Sequence, residues 1–337
     1  MVKSLTTAVL DKSVLQRIAE LPVGDREEAW RELSGRFQLV IPFVLLEEVL
    51  TNLGQPRNTP PEVVEAMFVD LLNLQECWIA DEIDWAFEEL VLRKRSSEFK
   101  LVSKDFVQRM CRLKPWEAEY QQFLSLRRND AADDLQRRMK LQNEAAEWRL
   151  KQKYSGESGF IDEHGRTFLL VSSEQAFFDK FVSPGFEARD RDDGWFEMLN
   201  YSLGPQMRAR YAKRSDEIER ALRTTTSKEV FESPGTLNCL LAKLFYFWAP
   251  VVRIGDDQRT GRKIIGRTRS DQRNNIHDER YVGPTLLCNV LLTRDRDMAQ
   301  MAQCFSRSGL WKGRVIDLSA LGDLDIRSQI ASLPLPI

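Results

Sequence analysis

The chain has few of the features on which secreted and membrane proteins depend. Its five cysteines, Cys77, Cys111, Cys239, Cys288 and Cys304, are an odd number without a single C-x-x-C pair, which argues against a disulfide framework and fits reduced, intracellular thiols. The amino terminus lacks the long apolar stretch of a signal peptide. The longest apolar run elsewhere, within LLAKLFYFWAPVV, is interrupted by Lys243 and is too short to span a bilayer. No membrane association is expected, and the location expected is cytoplasmic. Neither sign of charge prevails: 49 basic residues stand against 51 acidic ones, so attraction of the whole protein to nucleic acid is excluded and any basic surface is local. No internal repeat or low-complexity tract is present. A length of 337 residues corresponds to about two domains.

What the sequence does hold is acid at the ends of apolar runs. LTTAVLDKSVLQRIAEL reads as a short strand, Leu5 to Leu10, that stops at Asp11 and enters a helical pattern. A second run, FQLVIP, ends at Pro42, which suits a first helical turn, and leads into FVLLEEVLTNL with Glu47 and Glu48. Adjacent helical residues point about 100° apart, so only one of these glutamates can face a shared cleft. Near the other end, in NNIHDERYVGPTLLCNVLLTRDRDMAQMAQ, an apolar run from Thr285 to Leu292 reads as a strand, with Asp278 before it and Asp295 and Asp297 after it. In an open α/β sheet, ligands bind in the crevice outside the carboxyl ends of the strands, where carboxylates suit hard divalent cations.

Between these ends lies a mainly helical stretch, beginning near Gln55 where QPRNTPP concentrates turn residues. EVVEAMFVDLLNLQECWIADEIDWAFEELVLRK has the mixed three- and four-residue spacing of one or two amphipathic helices. From Pro115 a long polar pattern rich in helix formers predicts a helical arm or hairpin. GFID and TFLLVSS flank EHGR as a β-hairpin, and further helices are expected at Pro205 to Thr224 and Pro234 to Trp248. The stretch RTGRKIIGRTRSDQR then carries Arg259, Arg262, Lys263, Arg267, Arg269 and Arg273 against the single acid Asp271, just before Asp278. Gly261 and Gly266 suggest a loop or hairpin. A basic loop beside carboxylates suits a phosphodiester backbone; the alternative is a solvated surface loop.

Asp11 closing the first strand, a glutamate in IPFVLLEEVL, Asp278 in NIHDERYVGPTLL and LLTRDRDM after the following strand together resemble the four acidic positions of the PIN-domain ribonucleases. The resemblance covers about the first 55 and the last 70 residues. The apolar spacing of the family's second motif puts Glu48, rather than Glu47, at its glutamate, and the Thr-Arg pair puts Asp295, rather than Asp297, at its last aspartate. The distance from Glu48 to Asp278 is far longer than in small single-domain members. The resemblance implies an α/β fold: a PIN-like Rossmann-type core with a central parallel sheet, made by residues 1–55 and 250–337 and interrupted at 56–249 by a mainly α-helical insertion that sets substrate, partner or oligomeric state. It further implies a divalent-metal-dependent nuclease, an endoribonuclease acting on RNA or single-stranded nucleic acid. Asp11, Glu48, Asp278 and Asp295 would be direct or water-mediated ligands of Mg2+ or Mn2+, with Asp297 a supporting or substitute ligand. Proteins of this kind are commonly toxins or RNA-processing enzymes, which leaves a defence role, a protein inhibitor or regulator, and a homo-oligomer open.

Charge balance supports that chemistry, because three or four converging carboxylates cannot all stay ionised without a cation. Thr293 is expected to hydrogen-bond a carboxylate or water and hold the ligands in place, and Asn274 and Asn275 to position backbone or substrate. Each acid also has a structural alternative. Asp11, Asp278 and Asp295 or Asp297 suit helix N-caps, although asparagine and serine would serve as well there; Glu47 and Glu48 suit the positive end of a helix dipole. His277 is either a phosphate contact or a local hydrogen bonder, and His164 has no assigned role. The eight tryptophans could stack bases, with core packing the default. Two other function classes stay open: a catalytically silent scaffold for nucleic acid or protein, and a phosphotransferase with Asp11 as nucleophile. Asp11-Lys12-Ser13 lacks the second aspartate that one such family would carry.

Overall fold

The computed structural model describes residues 6–54, 59–74, 77–79, 82–94, 109, 112–113, 117–122, 136, 140, 158–161, 167–170, 199–200, 202–233, 235–237, 239–240, 243, 269–321 and 325–333. In chain order the elements are β1 (Thr6–Leu10), α1 (Lys12–Ala19), α2 (Val23–Arg36), β2 (Phe37–Pro42), α3 (Phe43–Gly54), α4 (Pro61–Asn73), β3 (Cys77–Ile79) and α5 (Glu82–Leu90). A hairpin follows, β4 (Ser158–Ile161) and β5 (Thr167–Leu170), then α6 (Gly204–Arg210), a 3-10 turn (Ala212–Arg214), α7 (Ser215–Thr224), α8 (Ser227–Phe231) and α9 (Arg269–Leu287). The chain closes with β6 (Val290–Thr293), α10 (Arg296–Arg307), β7 (Arg314–Asp317), a 3-10 turn (Leu318–Leu321) and α11 (Ile326–Ala331). Two compact units result: residues 1–81, 96–125 and 284–337 form one, and residues 82–95 and 126–283 the other. Among the described residues no helix is long and apolar enough to cross a membrane.

The first unit is an α/β structure around a five-stranded, all-parallel sheet in the order β3-β2-β1-β6-β7. Parallel strands covered on both faces need continuous apolar runs rather than alternation. Ala8, Val9 and Leu10 of β1, Leu39, Val40 and Ile41 of β2, and Leu291 and Leu292 of β6 supply them, all fully buried. The edge strand β7 is only half-buried throughout. Helix α1 turns Val14, Leu15 and Ile18 inward and packs against α4. Helix α11 is strapped to α2: Arg327 pairs with Asp25 at 2.8 Å and with Glu28, while Arg36 donates to the carbonyls of Ala331, at 3.1 Å, and Leu333, occupying acceptors that a helix end leaves open.

The parallel sheet matches the sequence reading, but three boundaries differ. The run from Thr285 is not one strand: Thr285 to Leu287 finish α9, and β6 begins only at Val290. Asn289 fixes that start, since its N–H donates to Thr7 O at 3.1 Å and its side-chain oxygen accepts from Thr7 Oγ1 at 2.8 Å. Cys77–Ile79, read as part of a helical pattern, pairs with β2 as an edge strand. A three-residue strand between two amphipathic helices has too short a run to show its own period. The first unit accordingly comprises residues 1–81, 96–125 and 284–337, where the sequence reading had 1–55 and 250–337.

The second unit contains the hairpin read from the sequence, with Ile161 opposite Thr167. The helix expected over 205–224 is broken at Tyr211, whose ring stacks on Phe87 with centroids 3.7 Å apart and whose hydroxyl donates to Asp84 at 2.5 Å; Arg214 lies over the same Phe87 ring. Elsewhere Glu89 is buried and accepts from Gly235 N (3.1 Å), Thr236 N (2.7 Å) and Thr236 Oγ1 (2.7 Å). A side chain on Gly235 would come within 3.2 Å of that carboxylate. Burial pushes the Glu89 carboxyl above its ordinary value, and the hydrogen bonds from Thr236 and Gly235 offset this only in part. A raised carboxyl favours the protonated fold, so its stabilising contribution is full below the unfolded value near 4.5 and is lost as pH rises through the raised value. Urea unfolding should show stability increasing as pH falls from 7.5 towards 5, and Glu89→Gln should flatten that trend; an identical slope in both proteins would assign it to other groups.

Candidate functional site

The sheet order places the site. From β1 the chain steps outward to β2 and β3, then returns on the other side with β6 and β7, so the strand order reverses between β1 and β6. In open parallel sheets such a reversal is where ligands bind, beyond the carboxyl ends of the two strands. Asp11 directly follows β1, and Asp295 follows β6. The ladder reaches the acids themselves, because Asp11 N donates to Leu292 O at 3.1 Å.

Two hydroxyls tie the acid-bearing turns together. Asp11 is 5% exposed; one carboxylate oxygen accepts Ser13 N at 3.1 Å, and the other accepts Ser13 Oγ at 2.5 Å and Thr293 Oγ1 at 2.6 Å. Thr293 Oγ1 in turn accepts Asp295 N at 2.9 Å, and Ser13 Oγ accepts Arg294 N at 3.1 Å. A hydroxyl has one proton, so each gives it to Asp11 and uses a lone pair for the opposite turn. The result is a carboxylate held in one orientation by three donors, with Thr293 in the role read from the sequence.

Asp295 caps α10, accepting Met298 N at 2.9 Å. Burial raises its carboxyl above the ordinary value; the Met298 N–H opposes the shift, and the negative charges of Asp11 and Asp297 add to it. Three acids thus share one field that a cation would relieve, and their oxygens are the donor type that Mg2+ and Mn2+ prefer. The fit is one of charge and donor chemistry: among the described residues no three His, Cys, Asp or Glu side chains converge as a ready ligand group.

The capping alternative is also realised, since Asp11 and Asp295 both accept N-cap hydrogen bonds. Substitution at 295 separates the two roles. Asparagine caps as well as aspartate, whereas alanine costs about 1 kcal/mol. Thermal melts in EDTA should therefore place Asp295→Asn at or above the wild-type midpoint, because it sheds a charge that burial and two neighbours oppose, and Asp295→Ala below it. A drop in the asparagine variant would mean that the charge stabilises the fold.

The other expected residues are placed less directly. Helix α3 buries Glu47, at 1% exposure, and leaves Glu48 half-exposed. Asp278 is half-exposed well inside α9, in the second unit, so it does not cap that helix. Arg269 and Arg273 belong to α9 rather than to a loop. Arg259, Arg262, Lys263 and Arg267 lie outside the described residues, as do the side chains of Arg269, Arg273, Asn274, Asn275 and His277.

Ser13, Arg294 and Asp317 were not anticipated. Asp317 ends β7 opposite Thr293, and its carboxylate accepts Ser319 N at 2.8 Å and Ser319 Oγ at 2.6 Å. Asp11-Lys12-Ser13 and Asp317-Leu318-Ser319 share an Asp-x-Ser pattern at a strand end, with the serine folding back on the aspartate, and that repetition was the available signal. No family model, curated protein or solved structure matches the chain.

Proposed function

We propose that this protein is a divalent-metal-dependent nuclease of the PIN-like type, an endoribonuclease acting on RNA or single-stranded nucleic acid in the cytoplasm. The observation that carries the reading is the pairing of Asp11 and Asp295 at the β1/β6 reversal of a parallel sheet, joined through Thr293. Asp11 and Asp295 would hold Mg2+ or Mn2+ with Asp297 in support. Resemblance adds Glu48 and Asp278, and the burial of Glu47 makes it the rival of Glu48. The cation, when bound, supplies Lewis-acid activation of water and stabilises charge on the leaving oxygen. The chain's own part is to orient: Ser13 and Thr293 fix the Asp11 carboxylate, and the α10 cap fixes Asp295. Neither role needs a covalent enzyme intermediate.

The basic stretch from Arg259 to Arg273 would run along the substrate backbone, and the helical unit would set substrate, inhibitor or oligomer, as in a toxin or defence effector. The N-cap bonds of Asp11 and Asp295 favour a second reading, a catalytically silent scaffold in which both acids are structural. The test is cleavage of labelled single-stranded RNA, duplex RNA and single-stranded DNA with Mg2+, Mn2+ or EDTA by wild type, Asp11→Asn, Asp278→Asn, Glu47→Gln and Glu48→Gln. Metal-dependent cleavage lost in folded Asp11→Asn supports the nuclease, and the other three variants assign the remaining ligands. Cleavage equal in every variant, or absent from wild type on all substrates, favours the scaffold.

A further inference from the structure

Helix α9 carries three charges in a row, Asp278, Glu279 and Arg280, and treats them differently. Successive helical residues lie about 100° apart, and of these three only Glu279 is buried; Asp278 and Arg280 are half-exposed. Asp278 is the acid that resemblance assigns to the site. Which of the two neighbouring acids faces inward therefore depends on how α9 is rotated about its axis.

Apolar burial does not by itself fix that rotation. Tyr281 and Val282 are buried on the same helix, but apolar contact is non-directional and tolerates repacking. The carboxyl end of the helix is a poor guide too, because Pro284 offers no N–H to the Arg280 carbonyl one turn back and follows a glycine, Gly283. The contact of Glu279 does have direction. Lys243 Nζ donates to Glu279 Oε1 at 3.0 Å and to Gln206 Oε1 at 3.3 Å, so a lysine from one helical stretch joins α9 to α6. Among the described residues no other ion pair has both side chains so deeply buried. Such a pair adds little stability over well-packed apolar residues, and its best-attested use is to select one register among several that packing would accept.

We propose that Lys243, Glu279 and Gln206 form a register lock that holds Glu279 inward and keeps Asp278 facing out for the cation, which makes Lys243 and Gln206 positioning residues of the candidate site. The lock itself is independent of the nuclease reading; its service to Asp278 rests on it. The competing arrangement is specific. An α9 turned by one residue would set Asp278 against Lys243, and the carboxylate that the site needs would be occupied by the pair.

The test compares the full chain with Lys243→Met/Glu279→Leu, an apolar replacement chosen to keep the unit folded. Amide hydrogen exchange of α9, followed by mass spectrometry in EDTA, should be about tenfold faster in the double variant although its urea midpoint stays near the wild-type value. The Mg2+ concentration for half-maximal RNA cleavage should rise about tenfold, the lower end of what loss of ligand support costs. In an Asp278→Asn background the same double substitution should lower residual cleavage by less than about twofold, because the acid it positions is already gone. Unchanged α9 exchange in a stable double variant would overturn the lock, and an equal loss of cleavage in the Asp278→Asn background would overturn its link to Asp278. If the double variant is unstable, Gln206→Leu decides, since it keeps the ion pair and alters a half-buried residue: α9 exchange and Mg2+ requirement each moved by about threefold support the lock, and no change in either overturns it. Faster exchange in the variants without cleavage by any protein keeps the lock and removes the nuclease. Metal-dependent cleavage with unaltered exchange removes the lock and leaves the nuclease standing.

Discussion

Asp11→Asn should lower kcat/KM for RNA by on the order of 10³-fold while leaving the protein folded. The size of the effect follows from the place of Asp11 in the crevice: it is the acid shared by both turns, and no second carboxylate occupies its hydrogen-bonding position. Folding should survive because the asparagine oxygen can still accept Ser13 N and its amide protons can be accepted by the remaining lone pairs of the two hydroxyls, at the cost of the acceptor that their own protons had in Asp11. Asp11→Leu is the instructive contrast, since it strands the protons of Ser13 and Thr293 in a buried place at about 1–3 kcal/mol for each unsatisfied group. Thr293→Val should fall between them, with about 10- to 100-fold less activity, because it frees Asp11 and the Asp295 turn without removing a carboxylate. Circular dichroism and thermal melts establish folding before the rates are compared. Full activity in a well-folded Asp11→Asn would dismiss the proposed centre.

Lys243→Met should destabilise the second unit by about 3–5 kcal/mol, the largest stability effect expected in the chain. Lys243 Nζ lies 3.0 Å from Glu279 Oε1 and 3.3 Å from Gln206 Oε1, and the side chains of the ion pair are 5% and 0% exposed. Removing the lysine takes a charged partner from Glu279 in a region from which water is excluded, and the cost is dominated by that loss. Glu279→Gln should be damaging for the mirror-image reason. Combining Lys243→Met with Glu279→Leu should recover most of the loss, because well-packed apolar residues often replace a buried pair at little cost. Urea midpoints of the full chain measure all three; single variants within about 1 kcal/mol of wild type would show that water or a rearranged partner satisfies the pair. Lys243 was visible in the sequence only as an interruption of an apolar run. A helical partner in α9 gives it a reason to be there.

Much of the core was readable from local pattern. Strands covered on both faces must be continuously apolar, so TTAVL and FQLVIP announced β1 and β2, and the acid after β1 lay outside the apolar run. Strand β3 was not readable, because CWI is too short to show a period between two helices. Of the two adjacent glutamates, local pattern established only that they diverge. Helix packing buried Glu47 and left Glu48 half-exposed.

The sequence by itself determined the apolar strands, the helix-forming stretches, the hairpin and the acids that close β1 and β6, because each depends on side-chain chemistry within a few residues. Only the tertiary structure decided that Asp11, Ser13, Thr293 and Asp295 form one network and that Lys243 is neutralised by Glu279. The reason is separation along the chain: Thr293 and Asp11 are 282 residues apart and meet through the parallel pairing of Leu10 with Leu292. Local propensity carries no information about that register; burial of both strands in one sheet supplies it.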